Sequence, residues 1–412
     1  MSLTTKIKGE YIDVCCPVCE GLKFENIDYF KNQTSDQKLC LCQSCGHIIY
    51  NPQPTNECLV SYYKSDYRKK VEIGNIITCN RKIKYHQKFL GKVLDNPGRM
   101  VDLGCANGYF ANLCRQKGWE AMGTEHTIGF VNYARGEFGL DIRGNLNDFE
   151  GQFDLISYYH VLEHIQNPHI ELAKAWSRLN DGGMLYVSIP HFGMLEDASM
   201  LGAQIHCLDG ILPLEHLNYF SRTHIGQVLA NAGFEIIREN RFFYGLTLLA
   251  KKTLPIPGLP QKVNLQDTKR KLTAMYEAIK LSNKGDFEGA IETFPLFPSA
   301  WLNFAMTHKK FGDALAILQR AMKIMLFHTE IASTMGHTYY RNGMFKEALA
   351  SYRWSFELKP GNDSVAKQMG LCYCELGDFK EGIKWFKVGL EINPMDIVDF
   401  QKWIGWAYSK MK

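Results

Sequence analysis

Long apolar runs are missing from this chain of 412 residues. No stretch approaches the ~18 consecutive apolar residues that a membrane-spanning helix needs. The first residues, MSLTTK, contain no apolar core of the kind found in secretion signals. The sequence therefore predicts a cytoplasmic protein without a membrane partner.

A large excess of one charge is also missing. The chain has 47 Lys and Arg against 43 Asp and Glu, which gives a net charge of +4, and it has no dense basic run. Because nucleic-acid binding depends on clustered positive charge, nucleic acid is not an expected partner. An apolar content of 46% and a charged content of 22% are ordinary for a globular protein, and the length allows two or three domains.

Cysteine, in contrast, is common, with 13 residues. Four of them form two C-x2-C pairs with 22 residues between the pairs: Cys16, Cys19, Cys42 and Cys45. Each pair presents two thiolates from one tight turn, and two pairs complete a tetrahedron around Zn²⁺. The spacing predicts a structural zinc ribbon with no open coordination position. Redox-active pairs are the alternative, but no thioredoxin-like strand and helix surround these cysteines.

Two further cysteines, Cys15 and Cys40, lie one or two positions outside the pairs. We expect both to be small buried thiols. A role as substitute metal ligands is the alternative.

The rest of the chain is organised around residues 100–110, MVDLGCANGYF. A short apolar run predicts a buried parallel strand, a glycine-bearing turn follows, and a helix resumes at Tyr109. This geometry brings backbone N–H groups against a nucleotide-like ligand. Gly104 leaves room for that ligand, and Gly108 is expected to let the helix pack closely on the strand. Glu125, about 20 residues beyond the glycines, stands where a ribose diol is bound, whereas the third glycine of the NAD fingerprint is absent.

The order VDLGCANG, GTEH, FDLISYYHVLEH, LNDGGMLYVSIP resembles the class I S-adenosylmethionine (SAM) methyltransferases over roughly residues 80–250. The resemblance implies an α/β Rossmann-like core with a mostly parallel seven-stranded sheet and SAM as cofactor. That family usually has Gly at the position of Ala106. The cofactor-binding positions that the resemblance implies are Asp102, Gly104, Cys105, Ala106, Gly108, Glu125, Asn145, Leu146 and Tyr158.

Each of these positions has an expected role. Asp102, Gly104 and Gly108 shape the pocket for the methionine end, and Glu125 accepts hydrogen bonds from the ribose hydroxyls. Asn145 and Leu146 meet the adenine, and Tyr158 or Tyr159 borders the sulfonium.

Alternating apolar and polar segments in the middle of the chain predict alternating strands and helices. The predicted strands lie near 100–103, 120–124, 140–143, 154–158, 183–189, 234–239 and 245–251. The predicted helices lie near 77–94, 109–117, 128–137, 167–179 and 223–232. Residues 194–214 are expected to form a mobile lid or an acceptor-binding insertion.

Methyl transfer to an alcohol needs a proton acceptor, and histidine suits that role. Four histidines lie near predicted strand ends: His160, His164, His191 and His216. We favour His216 or His191 as the base, with a structural role as the alternative for each.

The His-x-x-Glu-His pattern at residues 160–164 has three readings. It is the inverted zinc-protease signature, but that reading needs a long active-site helix. Some quinone-pathway methyltransferases that look similar bind a divalent metal here, although His160 replaces their Glu. We expect instead that Glu163 and His164 orient the loop by hydrogen bonding.

The C-terminal part repeats every 34 residues. Five positions of one copy recur in the next: Gly336, Gly343, Ala348, Tyr352 and Pro360 match Gly370, Gly377, Gly382, Phe386 and Pro394. This period resembles tetratricopeptide (TPR) repeats, in which a small residue lets paired helices approach. Residues 397–411 are predicted to cap the stack. The resemblance implies a protein partner or self-association.

These patterns predict a zinc ribbon at 1–70, a methyltransferase at 71–252, a proline-rich linker at 253–268 and TPR repeats at 269–412. The ribbon resembles one found ahead of some bacterial methyltransferases of sugar and surface-glycan pathways. The expected function is therefore O-methylation of a sugar, a glycan precursor or another small molecule. The alternatives are a TPR-guided protein or peptide methyltransferase and a catalytically weak interaction scaffold.

Overall fold

The computed structural model describes residues 7–27, 37–65, 85–190, 215–242, 245–255, 265–325 and 328–411. His191, the insertion at 194–214, part of the linker and the first half of the predicted lead-in helix lie outside these residues. The described residues form two compact units, one within 1–73, 90–196 and 206–276 and the other within 74–89 and 277–412. The domain boundaries given above stay predictions. Among the described residues, no helix has the length and apolarity to cross a bilayer.

The first unit is built on a seven-stranded sheet. Its strands are β6 (Arg99–Leu103), β7 (Glu120–Thr124), β8 (Asp141–Arg143), β9 (Phe153–Tyr159), β10 (Leu179–Ile189), β12 (Phe234–Phe242) and β13 (Gly245–Lys252), in the order β12-β13-β10-β9-β6-β7-β8. Of these seven strands, six run in the same direction and β13 is antiparallel to them. The inner strands are short apolar runs because helices cover both faces of a parallel sheet. The predicted mostly parallel seven-stranded sheet is confirmed.

Four helices lie between strands of this sheet along the chain: α2 (Tyr109–Gln116), α3 (Ile128–Phe138), α4 (Pro168–Arg178) and α5 (Arg222–Asn231). The Asn167 side chain accepts from the Ile170 N–H at the start of α4. The Ser221 hydroxyl accepts from the His224 N–H at the start of α5. Such caps satisfy the first backbone donors of a helix and fix where it begins.

A second, antiparallel sheet belongs to the same unit. It contains β2 (Phe24–Asn26), β3 (Lys38–Cys42), β4 (Ile48–Asn51) and β11 (Asn218–Tyr219), in the order β11-β4-β3-β2. A two-stranded pair joins β1 (Tyr11–Ile12) to β5 (Gln53–Pro54), and α1 (Asn56–Ser65) follows. β11 lies within the predicted methyltransferase segment, far along the chain from the other three strands. The N-terminal sheet is therefore completed by a strand from that segment.

The C-terminal region is entirely helical in its described residues. Its helices are α6 (Leu265–Asn283), α7 (Phe287–Thr293), α8 (Pro298–Thr307), α9 (Phe311–Ile324), α10 (Thr329–Arg341), α11 (Phe345–Leu358), α12 (Asp363–Glu375), α13 (Phe379–Ile392) and α14 (Ile397–Lys410). A Cβ on Gly336 would meet the Tyr352 ring at 2.6 Å, and a Cβ on Gly370 would meet the Phe386 ring at 2.5 Å. The same close helix contact therefore recurs 34 residues along the chain.

Candidate active site

A cavity of about 420 Å³ opens at the carboxyl ends of β9, β6, β7 and β8. This edge is where ligands bind in open α/β sheets, and the volume is typical of small-molecule sites. The residues that line it are Asn56, Leu59, Val60, Tyr63, Leu103, Gly104, Thr124, Glu125, His126, Gly144, Asn145, Leu146, Tyr158, His160, Val161, His164, Ile165, Gln166, Glu171 and Lys174. Five of the predicted cofactor-binding positions are among them.

The turn after β6 has left-handed backbone at both of its glycines. Gly104 has φ +65°, and a Cβ there would approach Val161 Cγ2 at 2.7 Å. Gly108 has φ +75°, and a Cβ there would meet Leu140 Cδ1 at 2.8 Å and Ala134 Cβ at 2.9 Å. We predicted that the missing side chain of Gly108 lets α2 pack on its strand, but the atoms nearest to a Cβ at this position belong to Leu140 and Ala134. The missing side chain makes room for α3 and for the residue that precedes β8.

Ala106 in this turn also adopts left-handed backbone, with φ +48°. This conformation costs an L-residue roughly 1–2 kcal/mol, whereas glycine adopts it freely but loses about 0.5–1 kcal/mol more backbone entropy on folding. Ala106→Gly is therefore expected to raise the free energy of unfolding by about 0.5–1 kcal/mol, measured by urea denaturation. Ala111→Gly, within α2, is the control and is expected to destabilise the protein. A destabilised Ala106→Gly variant would contradict this account of the turn.

Glu125, directly after β7, is held by three backbone N–H groups. Its Oε1 accepts from the His126 and Thr127 N–H groups, both at 2.8 Å, and its Oε2 accepts from the Ala106 N–H at 3.0 Å. A carboxylate accepts about four hydrogen bonds, so it retains capacity for a ribose hydroxyl. The contact with Ala106 also ties the carboxylate to the glycine turn.

The other predicted cofactor residues differ in how they meet the cavity. Asn145 and Leu146 line it, as does Tyr158, whose hydroxyl donates to the Glu171 carbonyl at 3.3 Å. Asp102 is buried below the turn and accepts from the Ser157 hydroxyl at 2.5 Å. The Cys105 thiol is buried, and burial raises its pKa well above the usual range. Asp102, Cys105, Ala106 and Gly108 are not among the described residues that line the cavity.

Directly after β9, His160 lines the cavity in left-handed backbone, with φ +55°. Its Nδ1 lies 3.3 Å from Glu163 Oε1. The Glu163 side chain is only 1% exposed, while that of His160 is 35% exposed. Burial opposes ionisation of Glu163, but the hydrogen bond with His160 and the nearby His164 outweigh it and lower the Glu163 pKa. An ionised carboxylate only accepts, so Nδ1 carries the hydrogen and the Nε2 lone pair is left for a ligand.

The next two histidines lie at increasing depth. His164 lines the cavity, and its Nδ1 lies 2.9 Å from the Glu215 carbonyl oxygen and 3.0 Å from the Tyr63 hydroxyl. The His216 ring packs edge-on to His164, with ring centroids 4.7 Å apart. Burial lowers the pKa of His216 to about 3, with a further contribution from His164. His216 is not among the described residues that line the cavity, so its role as base stays a prediction.

Glu163, His164 and His216 also bring potential metal-binding atoms within 4.8 Å of one another. The predicted alternative of a divalent metal after the fourth strand of the methyltransferase pattern therefore has a geometric basis. The three residues differ from those of the sequence pattern at 160–164, because His216 takes part and His160 does not. The metal itself stays a hypothesis.

Sequence reasoning missed the contribution of α1. Asn56, Leu59, Val60 and Tyr63 all line the cavity, although this segment was assigned to the ribbon. The i, i+3, i+4 spacing of 56, 59 and 60, and of 60 and 63, places them on one helix face, which is the signal that could have identified them.

The four cysteines of the C-x2-C pairs lie together. The Cys16 and Cys45 sulfurs are 3.6 Å apart, and the Cys19 and Cys42 sulfurs are 3.5 Å apart. Sulfurs bound to one Zn²⁺ at ~2.3 Å would be about 3.8 Å apart at tetrahedral corners, so the cluster fits that ion. Cys40 is buried as expected, but Cys15 is exposed, because it precedes the turn that carries Cys16 into the core.

The cysteine cluster is linked to the segment that carries His216. β4 pairs with β11, where Ile49 is opposite Asn218. The His224 Nε2 donates to the Cys45 carbonyl at 3.0 Å, which holds α5 against the second cysteine turn. The Asn218 side chain donates to the Ile165 carbonyl at 2.8 Å. The described contacts therefore connect the cysteine turns to both loops that contain the histidines.

Residues 78–239 match a family model described as a methyltransferase domain. They include the turn after β6, Glu125, and the histidine loop after β9. The chain therefore contains a methyltransferase domain.

Solved structures similar to this methyltransferase include a magnesium protoporphyrin IX methyltransferase from Synechocystis PCC 6803 with bound SAH. It is 18% identical over 42% of this chain and 83% of that chain, with a TM-score of 0.35. A SAM-dependent methyltransferase from Archaeoglobus fulgidus is 16% identical over 42% of this chain and 94% of that chain, with a TM-score of 0.34. An O-methyltransferase family protein from Burkholderia thailandensis is 12% identical over 47% of this chain and 64% of that chain, with a TM-score of 0.35. No curated protein matches the chain.

Proposed function

We propose that this methyltransferase transfers a methyl group to an oxygen of a small molecule, with a sugar or a glycan precursor as the favoured acceptor. The observation that carries the proposal is His160 on the cavity wall, beside the glycine turn, with the buried Glu163 carboxylate 3.3 Å from its Nδ1. A buried carboxylate that orients an exposed imidazole is an arrangement suited to removing a proton from an alcohol.

The residues around the cavity fit SAM. Gly104 presents backbone without a side chain, Glu125 offers a carboxylate to a diol, and Asn145 and Leu146 offer a polar and an apolar surface to a purine. When bound, SAM supplies a methyl group on a positively charged sulfur, which is already activated toward nucleophiles. The protein therefore has to align the acceptor and remove its proton.

In this proposal His160 is the catalytic base. Its Nε2 accepts the hydroxyl proton as the acceptor oxygen bonds to the methyl carbon and the carbon–sulfur bond breaks. Glu163 keeps the Nδ1 hydrogen in place and stabilises the imidazolium that forms. The left-handed backbone at His160 is consistent with this role, because such strain of about 1–3 kcal/mol is concentrated at functional sites.

The proposed cofactors are SAM and one structural Zn²⁺ at the four cysteines. We also interpret the C-terminal helices as TPR repeats, which the recurring contact of a glycine with an aromatic ring supports.

The test is methyl transfer from labelled SAM to a cell extract separated into small molecules and protein. We expect label in small molecules, as methyl ethers. We expect His160→Ala to lower kcat about 100-fold, near the lower end of general-base effects, because the methyl donor is already activated, and Glu163→Gln to lower it about tenfold. His169→Ala, a histidine that does not line the cavity, is the matched control. Label confined to protein, or a kcat unchanged by His160→Ala, would overturn the proposal.

A further inference from the structure

Helix α1 lines the active-site cavity from outside the methyltransferase domain, which it precedes in the sequence. Its contribution consists of Asn56, Leu59, Val60 and Tyr63. The other described residues that line the cavity belong to strands of the seven-stranded sheet, to the loops after these strands, or to α4. The methyl transfer proposed above assigns no role to α1.

The face of α1 next to the cavity face packs in a small apolar cluster. Leu59 and Tyr62 are buried there together with Ile7 and Leu217. Leu217 directly follows His216, so the cluster joins α1 to the segment that carries this histidine. Because close-packed side chains hold one arrangement, α1 presents a fixed surface to the cavity.

Tyr63, in the last turn of α1, makes two further contacts. Its hydroxyl lies 3.0 Å from His164 Nδ1, and its carbonyl accepts from the Thr127 hydroxyl at 3.2 Å. The Thr127 N–H in turn donates to Glu125 Oε1 at 2.8 Å. Tyr63 therefore connects the loop after β7, which holds the proposed ribose carboxylate, to the histidine loop after β9.

Val60 is the residue of α1 whose apolar surface is most available to a ligand. It lies one turn before Tyr63 on the same helix face. Val60 is 37% exposed and lines the cavity, whereas Leu59 beside it is 6% exposed and belongs to the apolar cluster. A β-branched side chain has few rotamers, so Val60 presents one shape to the cavity. Asn56, one turn earlier, adds an amide that both donates and accepts.

We propose that α1 selects the acceptor and that Val60 is its specificity-determining residue. The residues proposed to hold SAM lie at the ends of β6, β7, β8 and β9, which leaves α1 for the second substrate. An acceptor that fits carries an apolar surface beside the hydroxyl that is methylated, and a polar group one helix turn away that contacts Asn56. The C–H face of a sugar ring has this character. The inference rests on the proposed function, because it concerns the acceptor of that reaction.

The test separates the affinity for the acceptor from the affinity for SAM. The full chain transfers label from SAM to the small-molecule fraction of a cell extract at a series of dilutions. The dilution that gives half of the maximal rate is a relative KM for the acceptor, and a calorimetric titration gives the dissociation constant of SAM.

Val60→Phe is expected to raise the relative KM at least tenfold and to leave the dissociation constant of SAM within about twofold. The expectation follows because one methylene in an apolar pocket already changes recognition by about 10–200-fold. Val60→Ala removes packing surface without adding bulk and should raise the relative KM about threefold, so it decides the test if Val60→Phe does not fold. Val398→Phe, at an exposed valine of α14, is the matched control and should behave like the unmodified chain.

Two results would overturn this proposal. One is a relative KM that Val60→Phe and Val60→Ala leave unchanged, and the other is an equal loss of SAM affinity, which would assign α1 to the cofactor. Label confined to protein would contradict the proposed acceptor instead, and the relative KM for the protein fraction would then test α1 in the same way. Absence of any transfer by the unmodified chain would overturn both proposals.

Discussion

Cys42→Ser is expected to abolish zinc binding, methyl transfer and the folding of the N-terminal sheet together. Structural zinc sites contribute ~10–16 kcal/mol in small domains, which is comparable with the ~5–15 kcal/mol by which a typical protein is stable. Without the ion, the contacts with Cys16 and Cys42, together with burial, raise the pKa of Cys45 well above the usual range, so this thiol is neutral. Without bonds to the ion, little joins the two cysteine turns of the N-terminal sheet to each other.

The loss should reach the active site through three described contacts. β4 pairs with β11, the Cys45 carbonyl accepts from His224, and Asn218 donates to the Ile165 carbonyl. The segment of Glu215 and His216 and the loop of His160 and His164 are both connected to the cysteine turns in this way. We therefore expect chelation of the metal to inactivate the enzyme even though the ion has no role in the chemistry.

The measurements are metal content, thermal unfolding and methyl transfer. We expect one zinc per chain. The melting temperature of Cys42→Ser should be at least about 10 °C lower, because several kcal/mol of stability are lost and each kcal/mol lowers the melting temperature by roughly 2–4 °C. Cys15→Ser is the matched control, because Cys15 is exposed and outside the cluster. An active, normally stable Cys42→Ser protein would contradict the structural role proposed for the ion.

Local patterns were sufficient to predict the core of this fold. The apolar runs at 100–103 and 154–158 became β6 and β9 because a parallel sheet buries both faces of its central strands. The C-x2-C spacing predicted the cluster because ligand geometry restricts how two turns can meet. Glu125 was likewise found from its distance to the glycines, which the strand–helix–strand unit fixes.

Contacts between distant segments were not predictable in the same way. Nothing local to His216 indicates that His164 lies between it and the cavity, and nothing near residue 218 indicates that it pairs with a strand at residue 49. The contact of Gly108 with Ala134 also depends on how α3 docks. Such contacts depend on how distant segments pack against one another, and no local pattern in a single sequence indicates that packing.

Glu125→Ala is expected to weaken SAM binding about 10–10²-fold. A hydrogen bond to a charged group contributes ~1.5–3 kcal/mol, and the carboxylate, which already accepts from three backbone N–H groups, is proposed to accept one from the ribose diol. The substitution also frees the N–H groups of Ala106, His126 and Thr127, which loosens the turn around the ligand. Glu125→Gln keeps the shape without the charge and should lose less. Glu120→Ala is the control, since this exposed glutamate lies at the opposite end of β7.

The most direct test of the whole account is a calorimetric titration of the folded, zinc-loaded chain with SAM and with S-adenosylhomocysteine. We expect one binding site per chain for each compound, binding of both about 10–10²-fold weaker in Glu125→Ala, and unchanged binding in Glu120→Ala. Absence of binding by the unmodified chain, or equal affinity in Glu125→Ala, would show that the cavity at the end of β6 and β7 does not hold the methyl donor.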